Sequence, residues 1–201
     1  MILGTGGENP KWQLVLDPSI HPYSSIFQVQ GAERGTAWCV SEGVVATVGH
    51  VLKGASSCKL RISSKWVDAQ RVSSSPWTDA MEGSLNELVF LQCKDVSSDP
   101  IDIERAGTPS RVLVVGFDPD GHLIEHEGPS RVVCTPFIAH SAHTTEGQSG
   151  GVMLSGLKAV GIHVGIRSIA KAPNGCQEKM RGFFNIGLQF SSSLVIPGKN
   201  T

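Results

Sequence analysis

Short runs of apolar and β-branched residues recur along the chain and are separated by glycine, proline, serine and aspartate. Several runs alternate apolar and polar residues, which is the period of a strand with one buried face. Only the segment HVLKGA could begin a single helical turn. Strands of this number and spacing predict an all-β sandwich or barrel. The runs are SIFQVQG, GTAWCVSEGVVATVGHVL, CKLRISSKWVDAQRV, ELVFLQC, RVLVVGFD, HLIEHEG, RVVCTPFI, GGVMLSG, KAVGIHVGI and GFFNIGLQF.

A polar segment with two prolines, CKDVSSDPIDIERAGTPS, lies between two strand-rich halves. We interpret residues 1–97 as an N-terminal β-unit, residues 98–110 as a linker and residues 111–201 as a C-terminal β-unit. This division predicts two domains of similar size rather than one continuous sheet.

The bulk composition is that of an ordinary globular protein. The 201 residues are 40% hydrophobic and 17% charged, with a formal net charge of −1, so nothing favours nucleic acid or an anionic membrane as a partner. Five scattered cysteines without a CxxC pair favour free thiols in a reducing compartment over disulfides or a zinc site. With no apolar run of membrane-spanning length and no signal-peptide layout at the N-terminus, a cytosolic location is expected.

The stretch TTEGQSGGVM places one serine, Ser149, among three glycines just before an apolar strand. A serine hydroxyl becomes a useful nucleophile only when a base removes its proton and a third group orients that base. Three histidines, His50, His140 and His163, lie in strand-like surroundings. His50 follows an apolar strand and enters a turn, a position that can hold an imidazole rigidly at a cleft. A buried histidine with only a packing role is the alternative.

The third group would be a carboxylate near a strand. Glu87 immediately precedes the apolar run 88–91, where a carboxylate is held firmly and partly desolvated, as an orienting acid requires. Asp79, in the loop SPWTDAMEG, is the alternative acid, and Glu87 would then be a strand-end residue.

These segments resemble the viral 3C-like branch of chymotrypsin-like proteases. The resemblance is carried by TxxGxSGG, filled by residues 144–151, and by a GxH motif at Gly161 and His163, and it spans roughly residues 25 to 190. The order His, acid, Ser along the chain is also that of chymotrypsin. The resemblance implies two six-stranded antiparallel β-barrels with the active site in the cleft between them.

The resemblance also implies a role for each site residue. His50 would be the general base, Glu87 the orienting acid and Ser149 the nucleophile. The backbone amides of Gly147, Gln148 and Ser149 would form the oxyanion hole.

His163 and Thr144 would bind the side chain of a glutamine or glutamate just before the scissile bond. Such a hydrogen-bonding pocket rejects side chains that lack the partner groups. Serine at the nucleophile position matches nidoviruses and sobemoviruses, whereas many relatives carry cysteine, so a replaced cysteine at position 149 stays open.

The implied substrate is a viral polyprotein cleaved in the host cell cytoplasm, with no metal and no organic cofactor. Two other classes stay open: a cellular trypsin-fold protease of the stress-response type, and a non-catalytic protease-fold module that binds peptide or RNA. The oligomeric state is not predicted.

Two weaker signals are set aside. The segment HLIEH reads as the zinc pattern HxxEH, but that pattern needs a helix, and the flanking FDPDG and EGPS favour a β-hairpin. Some relatives bind RNA through a basic linker, whereas DPIDIERAG is acidic on balance, so RNA binding is not supported. His140 and His143, close before the nucleophile loop, are expected to have packing or surface roles, with a part in shaping the substrate pocket as the alternative.

Overall fold

The computed structural model describes residues 12–75, 88–105, 107, 109–134, 136–166, 185–190, 192 and 194–198. Nearly all regular structure in these ranges is β-strand, and the strands form two closed barrels of six antiparallel strands each. The all-β, two-barrel fold expected from the sequence is therefore confirmed, and it is the chymotrypsin-like fold.

The first barrel closes in the order β2-β3-β4-β7-β6-β5, because β5 pairs with β2. Its strands are β2 (Ile26–Gln30), β3 (Arg34–Ser41), β4 (Val44–Val48), β5 (Ser57–Ile62), β6 (Lys65–Ser75) and β7 (Leu88–Gln92). A 3-10 helix (Tyr23–Ser25) precedes β2, and a one-turn helix, α1 (Gly49–Leu52), follows β4. The single helical turn predicted at HVLKGA is α1.

The second barrel closes in the order β8-β9-β10-β13-β12-β11, because β11 pairs with β8, and a short strand β1 (Gln13–Leu14) is added at β9. Its strands are β8 (Arg111–Phe117), β9 (Leu123–Cys134), β10 (Phe137–His140), β11 (Val152–Ser155), β12 (Lys158–Ile166) and β13 (Asn185–Gln189).

Strand β9 differs from the sequence prediction, which split it into two strands at the breakers of EGPS. The structure has one strand of 12 residues that changes partner at this point. Residues 123–129 pair with β8, and the remainder pairs with β10. Gly128 is required there because a Cβ atom would lie 2.4 Å from the backbone nitrogen of Ala142. The glycine and proline therefore mark a barrel corner rather than a turn.

Contacts between the two halves run through the core and the connecting segment. Trp38 on β3 is fully buried and packs on Phe190, just after β13, with 5.7 Å between ring centroids. Burying a large aromatic side chain contributes about 1.5–3 kcal/mol. In the connection between β7 and β8, the Ile101 amide donates to the Cys39 carbonyl and Ile103 bridges to Ala159. The segment predicted as a linker thus pairs with both barrels, and the boundaries assigned to it stay a prediction.

Candidate active site

His50 lies in the helical turn that follows β4. Its neighbours Val51 and Leu52 are buried and fix the turn, while His50 itself is half-buried. The turn ends at Lys53, whose backbone is left-handed and whose amide donates to the Gly49 carbonyl at 2.9 Å. His50 therefore follows a strand and enters a turn, as predicted, and its role as general base stays a prediction.

The nucleophile loop of the second barrel lies against the first barrel close to this turn. A Cβ atom at Gly35 on β3 would be 2.6 Å from Val51 and 3.0 Å from the carbonyl oxygen of Ser149. Ser149 and the residue after His50 therefore flank the same glycine. The turn that carries His50 and the loop that carries Ser149 thus lie against the same part of β3, and their meeting as base and nucleophile stays a prediction.

Ser149 sits half-buried in a loop whose backbone turns at two glycines with positive φ, Gly147 (89°) and Gly150 (85°). Its hydroxyl donates to the Val164 carbonyl at 3.2 Å. Val164 lies where the register of β12 and β13 shifts between His163 and Gly165, so this carbonyl is turned out of the regular ladder. The Ser149 hydroxyl is thus held by β12, the strand that carries His163.

The amides of the nucleophile loop divide into engaged and open groups. The Gln148 amide donates to Thr145 at 3.3 Å, and the Gly150 amide donates to His163 at 2.8 Å. The amides of Gly147 and Ser149 donate to no described residue. Of the three donors predicted for the oxyanion hole, the amides of Gly147 and Ser149 are therefore open to a ligand, and that of Gln148 is turned toward its own loop.

Gln148 has a structural role in this loop. It is fully buried, and its Oε1 accepts the Thr145 amide at 2.9 Å, which closes the turn before the nucleophile. Its Nε2 has no hydrogen-bond partner in the part of the chain that the structure describes. The side chain holds the loop from inside the second barrel.

His163 and His140 form a buried pair. His140 Nε2 lies 3.1 Å from His163 Nδ1, and the rings meet edge to face. Burial, together with the charge of His126, lowers the pKa of His140 to about 3. Burial, followed by the charges of His140 and His50, lowers the pKa of His163 well below its usual value. Both rings are therefore neutral at pH 7.

The hydrogen-bond direction of this pair follows from the surroundings of His140. Among the described residues, its buried Nδ1 has no hydrogen-bond partner. A buried N–H without an acceptor is rarer and more costly than a bare acceptor, so the proton of His140 lies on Nε2 and is donated to His163. The proton of His163 then lies on Nε2, where it can be donated to a ligand. His140, expected to have a packing or surface role with pocket shaping as the alternative, sets the tautomer of His163.

Thr144 is anchored by a residue that the sequence did not single out. Its hydroxyl donates to Asn185 Oδ1 at 3.0 Å, and Asn185 Nδ2 donates to the Ala142 carbonyl at 2.8 Å. Asn185 is buried at the start of β13 and faces Ile166 on β12 and His140 on β10. A polar residue opening an apolar strand was the available signal, but such residues usually cap strands.

Both candidates for the acid, Glu87 and Asp79, lie outside the described residues. The described neighbour is Leu88, the first residue of β7, which pairs with Val48, two residues before His50. The assignment of Glu87, with Asp79 as its alternative, stays a prediction.

The HxxEH segment is not helical. His126 lies within β9 and His122 in the turn before it, so the β-hairpin interpretation is confirmed. In that turn Asp118, Asp120 and His122 each bring one possible ligand atom within 4.8 Å of the others. The buried Asp118 already binds the His122 amide at 2.8 Å and its ring at 3.2 Å.

Across the described ranges, no helix has the length and apolarity needed to span a membrane.

Neither a family model nor a curated protein sequence matches this chain. Solved structures do. A Glu endopeptidase bound to MPD is 17% identical at a TM-score of 0.69, over 92% of this chain and 93% of the other. A human pathogenic astrovirus serine protease is 13% identical at a TM-score of 0.64, over 86% of this chain and 93% of the other. The active form of the Rv3671c protease from M. tuberculosis is 18% identical at a TM-score of 0.60, over 96% of this chain and 90% of the other. At these identities the likeness shows the chymotrypsin-like fold.

Proposed function

We propose that this protein is a serine endopeptidase that cleaves by acyl transfer. Ser149 is the nucleophile, His50 the general base, and the amides of Gly147 and Ser149 stabilise the oxyanion. The observation that carries the proposal is the state of the nucleophile loop, in which a half-buried hydroxyl lies beside two amides with no described acceptor. Open backbone amides in the loop that carries a serine hydroxyl can serve acyl transfer, because they stabilise the negative charge that develops on the carbonyl oxygen in the transition state.

The reaction begins with the hydroxyl of Ser149 leaving the Val164 carbonyl and turning to His50. His50 takes the proton as Ser149 Oγ bonds to the peptide carbonyl carbon, and it later gives that proton to the leaving amine. Water then attacks the acyl-enzyme with His50 again as base, releasing the new carboxyl end and restoring Ser149.

His50 requires an orienting acid, which we assign to Glu87. The pairing of Leu88 with Val48 supports this choice, because the strand that follows Glu87 runs beside the strand that leads to His50. Asp79 is the alternative.

The substrate residue before the scissile bond is glutamine or glutamate. The Nε2 proton of neutral His163 can be donated to a side-chain carbonyl or carboxylate oxygen, and the buried His140 holds that proton in place. The Thr144 hydroxyl, fixed by Asn185, is the second polar contact. A pocket of this kind selects for a polar partner because its own groups would otherwise stay unpaired.

The biological substrate is a viral polyprotein, cleaved in the host cell cytoplasm. The fold shared with the astrovirus serine protease supports this assignment. A cellular protease is the second candidate, and it is favoured by the similar fold of the M. tuberculosis protease.

A mixed peptide library tests the function. The chain and its Ser149→Ala variant are incubated with the library, and the cuts are mapped by mass spectrometry. Cuts after Gln or Glu that vanish in Ser149→Ala support both the nucleophile and the role of His163. A silent chain whose Ser149→Cys variant cuts after Gln would indicate that serine has replaced a native cysteine. No cleavage by the chain, by Ser149→Ala or by Ser149→Cys would favour a non-catalytic binding module.

A further inference from the structure

Thr36 of the first barrel makes four hydrogen bonds, three of them to the second barrel. It is fully buried in the middle of β3. Its hydroxyl donates to the Gly147 carbonyl at 2.8 Å and accepts the Phe117 amide at 2.9 Å. Its amide donates to the Ser149 carbonyl at 2.8 Å, and its carbonyl accepts the Thr47 hydroxyl at 2.8 Å.

These bonds act on the peptide planes around the nucleophile. The Thr36 hydroxyl fixes the plane between residues 147 and 148, and the Thr36 amide fixes the plane between residues 149 and 150. The plane between them carries the Ser149 amide, and its carbonyl accepts the Gly151 amide at 2.8 Å. In this middle plane the Ser149 N–H points opposite to the Gln148 carbonyl, so the two flanking planes held by Thr36 limit how the Ser149 N–H can rotate.

Close packing shows that the arrangement has little freedom. A Cβ atom at Gly150 would lie 2.1 Å from the Thr36 carbonyl oxygen, and one at Gly116 would lie 2.9 Å from the Thr36 hydroxyl. The loop and the end of β8 therefore both approach Thr36 as backbone. A methyl group in place of the hydroxyl would need about 3.5 Å from its neighbours, so the loop would have to move by several tenths of an ångström.

We infer that Thr36 is a positioning residue for the oxyanion hole, through which the first barrel sets the direction of the Ser149 amide in the second. This inference rests on the proposed function for its catalytic consequence, whereas its structural part can be tested without activity. Thr36 does not touch the reacting atoms, and its effect is exerted through the carbonyls of Gly147 and Ser149.

The structural test is amide hydrogen exchange at Gly150, whose N–H donates to the backbone carbonyl of His163 on β12. In Thr36→Val, this exchange is expected to accelerate at least about 10-fold relative to the amides of β4, because the loop opens locally. Thr36→Ser, which keeps the hydroxyl, is expected to restore slow exchange. Thr36→Ala removes the same hydroxyl with less crowding and replaces Thr36→Val if that variant does not fold.

Ser25→Ala is the matched control. Ser25 is also fully buried, and its hydroxyl donates to the Asp99 carbonyl, far from the nucleophile loop. Its loss lowers general stability without a selective effect at Gly150. Unchanged exchange at Gly150 in Thr36→Val, or equal acceleration in Ser25→Ala, would overturn the inference whatever the activity.

The catalytic test uses a peptide that the chain cleaves. For Thr36→Val, kcat is expected to fall about 100-fold with little change in KM, as when one oxyanion donor is displaced, and to recover in Thr36→Ser. An unchanged kcat, or a rise in KM alone, would contradict the role in the oxyanion hole. If the unaltered chain cleaves no peptide, the proposed function fails, and the exchange at Gly150 alone decides whether Thr36 positions the loop.

Discussion

One hydrogen bond joins His140 to His163 inside the second barrel, with 3.1 Å between His140 Nε2 and His163 Nδ1. Each ring is almost fully buried, and burial lowers both pKa values. The pair links a residue of β10 to the strand that also holds the hydroxyl of Ser149. Pocket chemistry and barrel stability therefore depend on the same two side chains.

Acidification is expected to destabilise the fold through this pair. In the unfolded chain each histidine binds a proton near pH 6.5, whereas in the fold both pKa values are lower, so the unfolded state binds more protons below that pH. The free energy of unfolding should fall from about pH 6.5 downward, by at most about 1.4 kcal/mol per pH unit for each histidine. Urea denaturation between pH 7.5 and 4.5 measures this slope.

The matched variant for this measurement replaces both rings, His140→Gln with His163→Gln. Its stability should depend less steeply on pH over the same range, even if it is lower at pH 7.5. Equal slopes in the two proteins would mean that other groups cause the acid sensitivity, for example His126, whose pKa burial also lowers.

Gly150 and Gly54 form a natural comparison, because both have φ of 85° but only Gly150 is crowded. Gly54→Ala should cost only the left-handed backbone strain, about 1–2 kcal/mol. Gly150→Ala should cost distinctly more, since its methyl would meet the Thr36 carbonyl and Thr47 hydroxyl. Urea unfolding of both variants gives the difference, and equal losses would contradict the close approach of the loop to β3.

Asn185 and Gln189 lie on the same strand, and each buried amide donates to a backbone carbonyl. Only Asn185 holds Thr144. Asn185→Leu should lower kcat/KM for Gln and Glu peptides at least about 10-fold, because Thr144 loses its anchor and the Ala142 carbonyl loses its donor. Gln189→Leu should lower stability without this loss. Peptide kinetics on both variants test this prediction. Equal losses of kcat/KM would mean that Asn185 has no specific role in the pocket.

The acid is identified by two isosteric changes, Glu87→Gln and Asp79→Asn. Loss of the orienting carboxylate should lower kcat by about 10⁴, since the base is left in the wrong tautomer. We expect this fall for Glu87→Gln and an effect under about 10-fold for Asp79→Asn. The reverse result would assign the role to Asp79.

The sequence predicted the strands well and singled out Ser149 and His50 because those signals are local; the catalytic roles of the two residues stay predictions. Alternating apolar residues define each strand, and the glycines around Ser149 are adjacent in the chain. The turn after Val48 was predictable for the same reason, as an apolar strand that runs into small residues.

The contacts that hold the site could not be predicted, because they join residues far apart in sequence. Thr36 reaches a loop 111 residues later, and Asn185 reaches Thr144 across 41 residues. In their local sequence, Thr36 and Asn185 look like ordinary strand residues. His140 likewise gained its importance only when β10 and β12 brought it against His163.

The most direct test of the central claim is covalent labelling of Ser149. The chain is treated with a peptidyl phosphonate carrying a glutamine or glutamate side chain next to phosphorus, and the adduct is mapped by mass spectrometry. The account predicts one adduct, on Ser149, that is lost in Ser149→Ala and strongly slowed in His50→Ala. No adduct on the folded chain, or an adduct on another residue that persists in Ser149→Ala, would contradict it.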